Sequence, residues 1–252
     1  MPPKNIKTAG IFFVVAAFVA SAVLSAPATA AEQCGLSQTK FDELKAAQDN
    51  ASLGYLEEIK AELMIRKQLL EEAVNCAVEE TDGLKTILDN TRVDDPLMQN
   101  LKNRLADQLD GARNYFAIQK SRIGDLGLQG SKDFAKNLAD WRDGNYKPAA
   151  ENANSLILWI NNQPLIQSGQ ARTNQISKIM TLLKVVNNDE IQNLWNDAQA
   201  NFNDALKENQ AAKNSLLGFA APNESSAHIK SSLSYLSSTY KNFLDLIGLI
   251  NK

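Results

Sequence analysis

Between Leu56 and Leu88 apolar residues return at every seventh position, at Leu56, Leu63, Leu70, Ala77 and Leu84, and Ile59, Ala73 and Ile87 follow three of these by three places. Neither proline nor glycine interrupts the run before Gly83. A seven-residue apolar period lays one narrow stripe along a helix, so the stretch predicts a long amphipathic helix. Glu57, Glu58, Lys60, Glu62, Arg66, Lys67, Glu71 and Glu72 take the other faces. So many charges exclude a membrane span, and the stripe must be covered by other helices.

This helix is predicted to run from about Ser52 to Asn90. Upstream, Ser37 caps a start near Gln38, and Phe41, Leu44 and Ala47 or Gln48 face one way, which reads as a short first helix or the frayed beginning of the long one. Downstream, Asp95 before Pro96 reads as an N-cap followed by a first-turn proline. The second long helix carries Leu97, Leu101, Leu105, Leu109, Ala112, Phe116 and Ile123 and should stop over Gly124, Gly127 and Gly130. Those glycines do not make a phosphate loop, because no strand precedes them and Ser131-Lys132 reverses the order such a loop needs. Ser131 is expected to cap a short helix with Phe134, Leu138 and Trp141 on one side, closed at Asp143-Gly144-Asn145 by a left-handed Gly144.

Pro148 then opens a third long element reaching about Val186. It contains the most apolar run of the chain after residue 30, Leu156 to Ile160, and Pro164 should kink it near Ile160 or divide it there into two helices. Beyond the proline, Ile166, Thr173, Ile176, Ile179 or Met180, and Leu183 resume a helical period. After the turn Asn187-Asn188-Asp189, a fourth helix turns Ile191, Leu194 or Trp195, Ala198, Phe202, Ala205 and Ala212 or Leu216 inward and ends near Gly218. Ser225 or Ser226 caps the last helix, whose stripe is Ile229, Leu233, Leu236, Tyr240, Phe243, Ile247 and Ile250. Strand-like alternation is absent throughout. The sequence therefore predicts an all-α protein, an elongated, irregular antiparallel helical bundle of four to six helices, a rod roughly 45 Å long. It would fill residues 31–252 as a single domain.

Residues 1–30 read as a signal peptide. Lys4 and Lys7 precede an almost purely apolar run from Ala9 to Leu24, and Ala26-Pro27-Ala28-Thr29-Ala30-Ala31 offers the small residues of a cleavage site after Ala30. The alternative is an uncleaved anchor, although the run is at the lower limit for spanning a bilayer. Cleavage removes Lys4 and Lys7 and no acid, so 26 basic residues against 29 acidic ones become 24 against 29. A mildly acidic chain has no bulk attraction for nucleic acid or for an anionic membrane surface. Cys34 and Cys76 are the two cysteines. In an exported protein such a pair reads as a disulfide bond, with uncombined thiols or a link to a second chain as alternatives. A straight helix from Gln38 to Cys76 would be roughly 57 Å long, so a bridge requires the chain to double back, and Asp49 to Gly54 is the candidate bend.

The side chains exclude several chemistries. One histidine, His228, is too few for a di-iron carboxylate bundle or for a His-Glu-x-x-His zinc site. The cysteines lack the Cys-x-x-Cys-His pattern of attached haem, and no Gly-x-Ser-x-Gly elbow accompanies the histidine. Adjacent carboxylates such as Glu71-Glu72 diverge on a helix and read as solvated charge. Neither a catalytic residue, a cofactor nor a metal site is expected. The polar cluster Asn161-Asn162-Gln163, beside Trp159 and near Arg172, is the least explained feature, since amides can serve a proline-kinked backbone or line a pocket. Trp159, Asn162, Gln163 and Arg172 are therefore the candidate ligand or partner contacts. The expectation is a non-enzymatic, exported structural or protein-interaction module, periplasmic, cell-surface or extracellular. Its partner would be another protein or a cell-envelope component, with a homo-oligomer open. The alternative is a binding protein for a small apolar or amphipathic ligand held between helices near Trp159 and Pro164.

Overall fold

The computed structural model describes residues 38–49, 55–182, 189–218 and 222–250, and among them the chain is an all-α helical bundle. Its helices are α1 (Gln38–Asp49), α2 (Tyr55–Asn90), α3 (Pro96–Arg122), α4 (Leu128–Trp141), α5 (Lys147–Leu182), α6 (Asp189–Leu217) and α7 (Pro222–Ile250). The signal segment, Cys34, the Ser37 cap, Leu183 and the predicted end at Val186 lie outside the described residues.

α1 is a helix in its own right and runs antiparallel to α2. Lys40 pairs with Glu72, whereas Leu44, further along α1, packs on the earlier residues Ile65 and Leu69 of α2. The chain therefore doubles back between Asp49 and Tyr55, as a bridge would require.

On α2 the buried line is Leu70, Val74, Ala77, Thr81, Leu84 and Leu88. The predicted seventh-residue line holds for Leu70, Ala77 and Leu84 but not for exposed Leu56 or half-buried Leu63, and its companions lie four places on, at Val74, Thr81 and Leu88, and not at Ala73 and Ile87. Either companion gives an acceptable stripe, and the side on which α3 and α5 dock decides between them. Thr81 is tolerated inside because its hydroxyl donates to the Ala77 carbonyl at 2.6 Å. Ile87 is 44% exposed and Leu56 is 68% exposed.

The α2–α3 turn is built from capping. Asp95 accepts from the backbone N–H groups of Leu97 and Met98 at 2.9 and 3.2 Å, and Pro96 needs no partner there. Lys102 reaches back to donate to the Asp89 and Thr91 carbonyls, closing the end of α2. The α3 stripe is as expected apart from its first member, since Met98 is buried and Leu97 is 57% exposed.

Two predicted boundaries move. α4 starts at Leu128 with Gly127 at its cap, and Ser131 lies inside the first turn, donating to the Leu128 carbonyl. Gly144 is not left-handed and ends nothing. Residues Arg142–Tyr146 form a π-helical turn that joins α4 to α5 without a break, Lys147 N–H bonding five residues back to Arg142. Pro148 accounts for the wider turn. In a plain α-helix its ring would meet the carbonyl four residues earlier, and a π turn moves that carbonyl aside.

α5 then continues through Pro164 to Leu182 as one helix. Besides the buried Ala153, Leu156 and Ile157 of its first half, a line of buried residues, Ser155, Trp159, Asn162, Ile166, Gly169, Thr173, Ile176 and Met180, alternates by four and three. α6 does the same with Ile191, Trp195, Ala198, Phe202, Ala205, Ala212 and Leu216, and half-buried Asn209 completes the line. α7 follows with Ser225, Ile229, Ser232, Leu236, Thr239, Phe243 and Leu246. Such a spacing keeps one seam facing its neighbours over many turns, as in a coiled coil. α6 and α7 pack along their length, and α5 lies against both. α7 starts at Pro222, so Ser225 is not its cap but the first buried hydroxyl of this seam.

The larger core joins α2, α3, α4 and the first half of α5 to Ala212, Leu216 and Ile229. Ile166, Phe202, Ala205 and Leu236 form a second cluster, and Ile176, Met180, Ile191, Trp195, Ala198, Phe243 and Leu246 a third.

Candidate functional site

The seam of α5 carries two of the candidate residues into the interior. Asn162 takes a core position of the four-three repeat and is 2% exposed. Its side-chain amide donates to Asn209 Oδ1 on α6 at 3.2 Å and to Ser232 Oγ on α7 at 3.1 Å. Ser232 in turn donates to the Ala205 carbonyl on α6 at 2.9 Å. One turn before Asn162, buried Trp159 donates its indole N–H to the Asn209 carbonyl at 3.1 Å. The layer lies between the larger core, which includes Trp159, and the cluster of Ile166, Phe202 and Leu236.

Gln163 is half-buried at the edge of this layer. Its amide donates to Asn209 Oδ1 at 3.1 Å and to the Trp159 carbonyl at 2.8 Å. That carbonyl is one residue before Ile160, whose helical partner Pro164 cannot supply. Asn209, which bonds three of the expected residues, was not legible as a site residue. Its only sequence signal is its place in the α6 repeat between Ala205 and Ala212, where an apolar residue would be expected. Arg172 does not join the group. It bonds Gln175 on its own helix at 3.0 Å and neighbours Tyr240 of α7. Burial pushes the Tyr240 ionisation up, and Arg172 opposes that shift. Cys76 is half-buried on α2, and its expected partner Cys34 is outside the described residues.

A second concentration of chemistry surrounds the π turn. Trp141 stacks on Tyr115 with ring centroids 3.6 Å apart, and Phe116 meets both Trp141 and Tyr146 edge-on. Such offset and edge contacts stabilise aromatic cores beyond their buried area. Arg142 pairs with Glu80 at 3.0 Å and lies over the Tyr146 ring. Burial, aided by the Glu80 carboxylate, drives the Tyr146 ionisation far above the ordinary tyrosine range. The hydroxyl is therefore a neutral, enclosed group and not a base at neutral pH.

His228 is half-buried on α7 and meets Glu208 of α6 at 2.7 Å, which makes it an inter-helix contact. A shallow groove of about 340 Å³ between α6 and α7 is lined by Asp197, Ala200, Asn201, Ser238, Lys241 and Asn242. Among the described residues no three His, Cys, Asp or Glu side chains gather as a metal site would need, and no helix is long and apolar enough to cross a membrane. Comparison of the chain with known protein families, with characterised proteins and with solved structures yields no match.

Proposed function

We propose that the chain is an exported, non-enzymatic helical bundle that serves as a structural or protein-interaction module in the cell envelope or at the cell surface. The observation that carries this reading is the orientation of the amide cluster at Pro164. Its hydrogen bonds join α5 to α6 and α7, so the chemistry that could have received a ligand holds helices together. What remains for a partner is the outer surface. There Gln99 bonds Asn103, Gln170 bonds Asn174, Gln192 bonds Asn196 and Gln210 bonds Asn214, each one helical turn apart. These pairs give a polar, weakly charged exterior suited to reversible contact.

The test is native mass spectrometry of the protein recovered from its own host without reduction. The expected species begins at Ala31 and carries no small-molecule adduct. A stoichiometric adduct that disappears in Trp159→Ala would overturn this reading in favour of a ligand held near Trp159 and Pro164. A chain recovered uncleaved from the cytoplasm would overturn the export on which it rests.

A further inference from the structure

The heptad seams of α5, α6 and α7 leave the alignment of the three helices under-determined. Small residues recur at sevens on α6, at Ala198, Ala205 and Ala212, and on α7, at Ser225, Ser232 and Thr239. Sliding one helix by a heptad, about 10 Å at 1.5 Å per residue, would again set small side chains against small ones. Two levels differ from the rest. At one, Phe202 and Leu236 fill the space that a Cβ on Gly169 would need. At the other stand Asn162, Asn209 and Ser232.

We infer that Asn162, Asn209 and Ser232 form an alignment layer, a polar set that is satisfied in one register of α6 against α5 and α7 and selects that register at the expense of stability. In a register of α6 shifted by one heptad, Asn162 would face Phe202 or Leu216 in place of Asn209, and Asn209 would lose Asn162. Buried Asn162 would then lose a hydrogen-bond partner to an apolar side chain, which is unfavourable. A polar residue at a core heptad position fixes alignment in coiled coils by this penalty on the alternatives. The native layer also bears the mark of a device kept for selection. Asn162 Oδ1 is fully buried and accepts no hydrogen bond within the described residues. A layer optimised for stability would leave no such acceptor, and apolar side chains of similar volume would pack there without it.

A double-mutant cycle decides the matter, with Asn162→Leu, Asn209→Leu and the double variant in the full chain. The readouts are the urea midpoint, the amide NMR spectrum and the solution mass. Each single variant is expected to lower the midpoint, because it takes one hydrogen-bond partner from the other amide. The double variant should recover the parental midpoint or exceed it, while its amide signals split into several sets or its mass distribution broadens. A double variant less stable than either single one would make the layer an ordinary stabilising network and overturn the inference. Recovery with a single set of signals and an unchanged mass would overturn it as well, since the register would then be set elsewhere. The corresponding alanine cycle gives the same two readouts with smaller side chains if leucine is too large for the layer.

Discussion

The hydroxyl of Ser232 on α7 donates to the backbone carbonyl of Ala205 on α6 at 2.9 Å. A serine side chain is too short to reach a neighbouring backbone unless the helices approach closely, and the Ala198, Ala205, Ala212 line facing Ser225, Ser232 and Thr239 makes that approach sterically open. Close approach brings many backbone atoms into van der Waals contact, so a seam of small residues contributes substantial cohesion. Ala205→Leu should therefore wedge the pair apart and lower stability by about 1–3 kcal/mol or more. Ser232→Ala, which keeps the space and removes the hydrogen bonds to the Ala205 carbonyl and from the Asn162 amide, should lose about 1–2 kcal/mol. Urea unfolding followed by far-UV circular dichroism measures both, and a larger loss for the serine change would contradict the steric account.

Gly169 makes the same point on α5. A Cβ at this position would lie 2.7 Å from Phe202 Cε2 and 3.2 Å from Leu236 Cδ2, both on buried side chains. Gly169→Ala gains about 1 kcal/mol of helix propensity and loses about 1–3 kcal/mol to overpacking, so the net effect is destabilising. Gly83→Ala on α2, where nothing lies within 4 Å, should instead stabilise the protein by about 0.5–1 kcal/mol. Thermal melts of the two variants should move in opposite directions.

These small-residue contacts explain which parts of the fold were legible in the sequence. The helices of α2, α3 and α6 announced themselves because large apolar residues mark their buried lines. On α7 the same reasoning chose Leu233, Tyr240 and Ile247, which are only half-buried, and passed over Ser225, Ser232 and Thr239. Hydropathy cannot reveal a seam whose purpose is to be narrow. The join of α4 to α5 was hidden for another reason. Asp143-Gly144-Asn145 followed by Pro148 has the composition of a turn, and a π turn satisfies the proline while the helix continues. The Pro164 cluster was visible as unusual, but its meaning depended on Asn209 and Ser232, which come from helices far along the chain.

Asp95 links local and long-range structure and should be visible in the acid limb of stability. Its carboxylate caps α3 and pairs with Lys213 of α6. The hydrogen bond from Lys213, with those from Met98 and Leu97, holds its pKa below the ordinary value of 3.8. A depressed folded-state pKa means that the unfolded chain takes up the proton first. The stabilisation is thus complete above about pH 5 and is lost as pH falls through the folded-state value. Both partners are partly exposed, so the ion pair should be worth about 1 kcal/mol. Asp95→Asn preserves the cap and removes the pairing. Its unfolding free energy should fall less between pH 6 and pH 2 than that of the parent, and parallel pH profiles would refute the pairing's contribution.

The antiparallel setting of α1 on α2 gives the expected disulfide a geometric test. Cys34 precedes Lys40 by six positions in the sequence, and Cys76 follows Glu72 by about one helical turn. The antiparallel pairing of Lys40 with Glu72 is the setting in which that disulfide is expected. Leu44 on Ile65 and Leu69 forms a cluster separate from the main core, and a helix of 12 residues is marginal alone. A Cys34–Cys76 bond would close a long loop and stabilise the fold by about 2–4 kcal/mol. Protein oxidised in the export compartment and digested without reduction should yield one peptide pair joined through Cys34 and Cys76. Reduction should lower the unfolding midpoint and speed amide exchange in Gln38–Asp49 while leaving α6 and α7 protected. Two alkylatable thiols in the native exported protein, or α1 exchange unchanged by reduction, would show that α1 is held by packing alone.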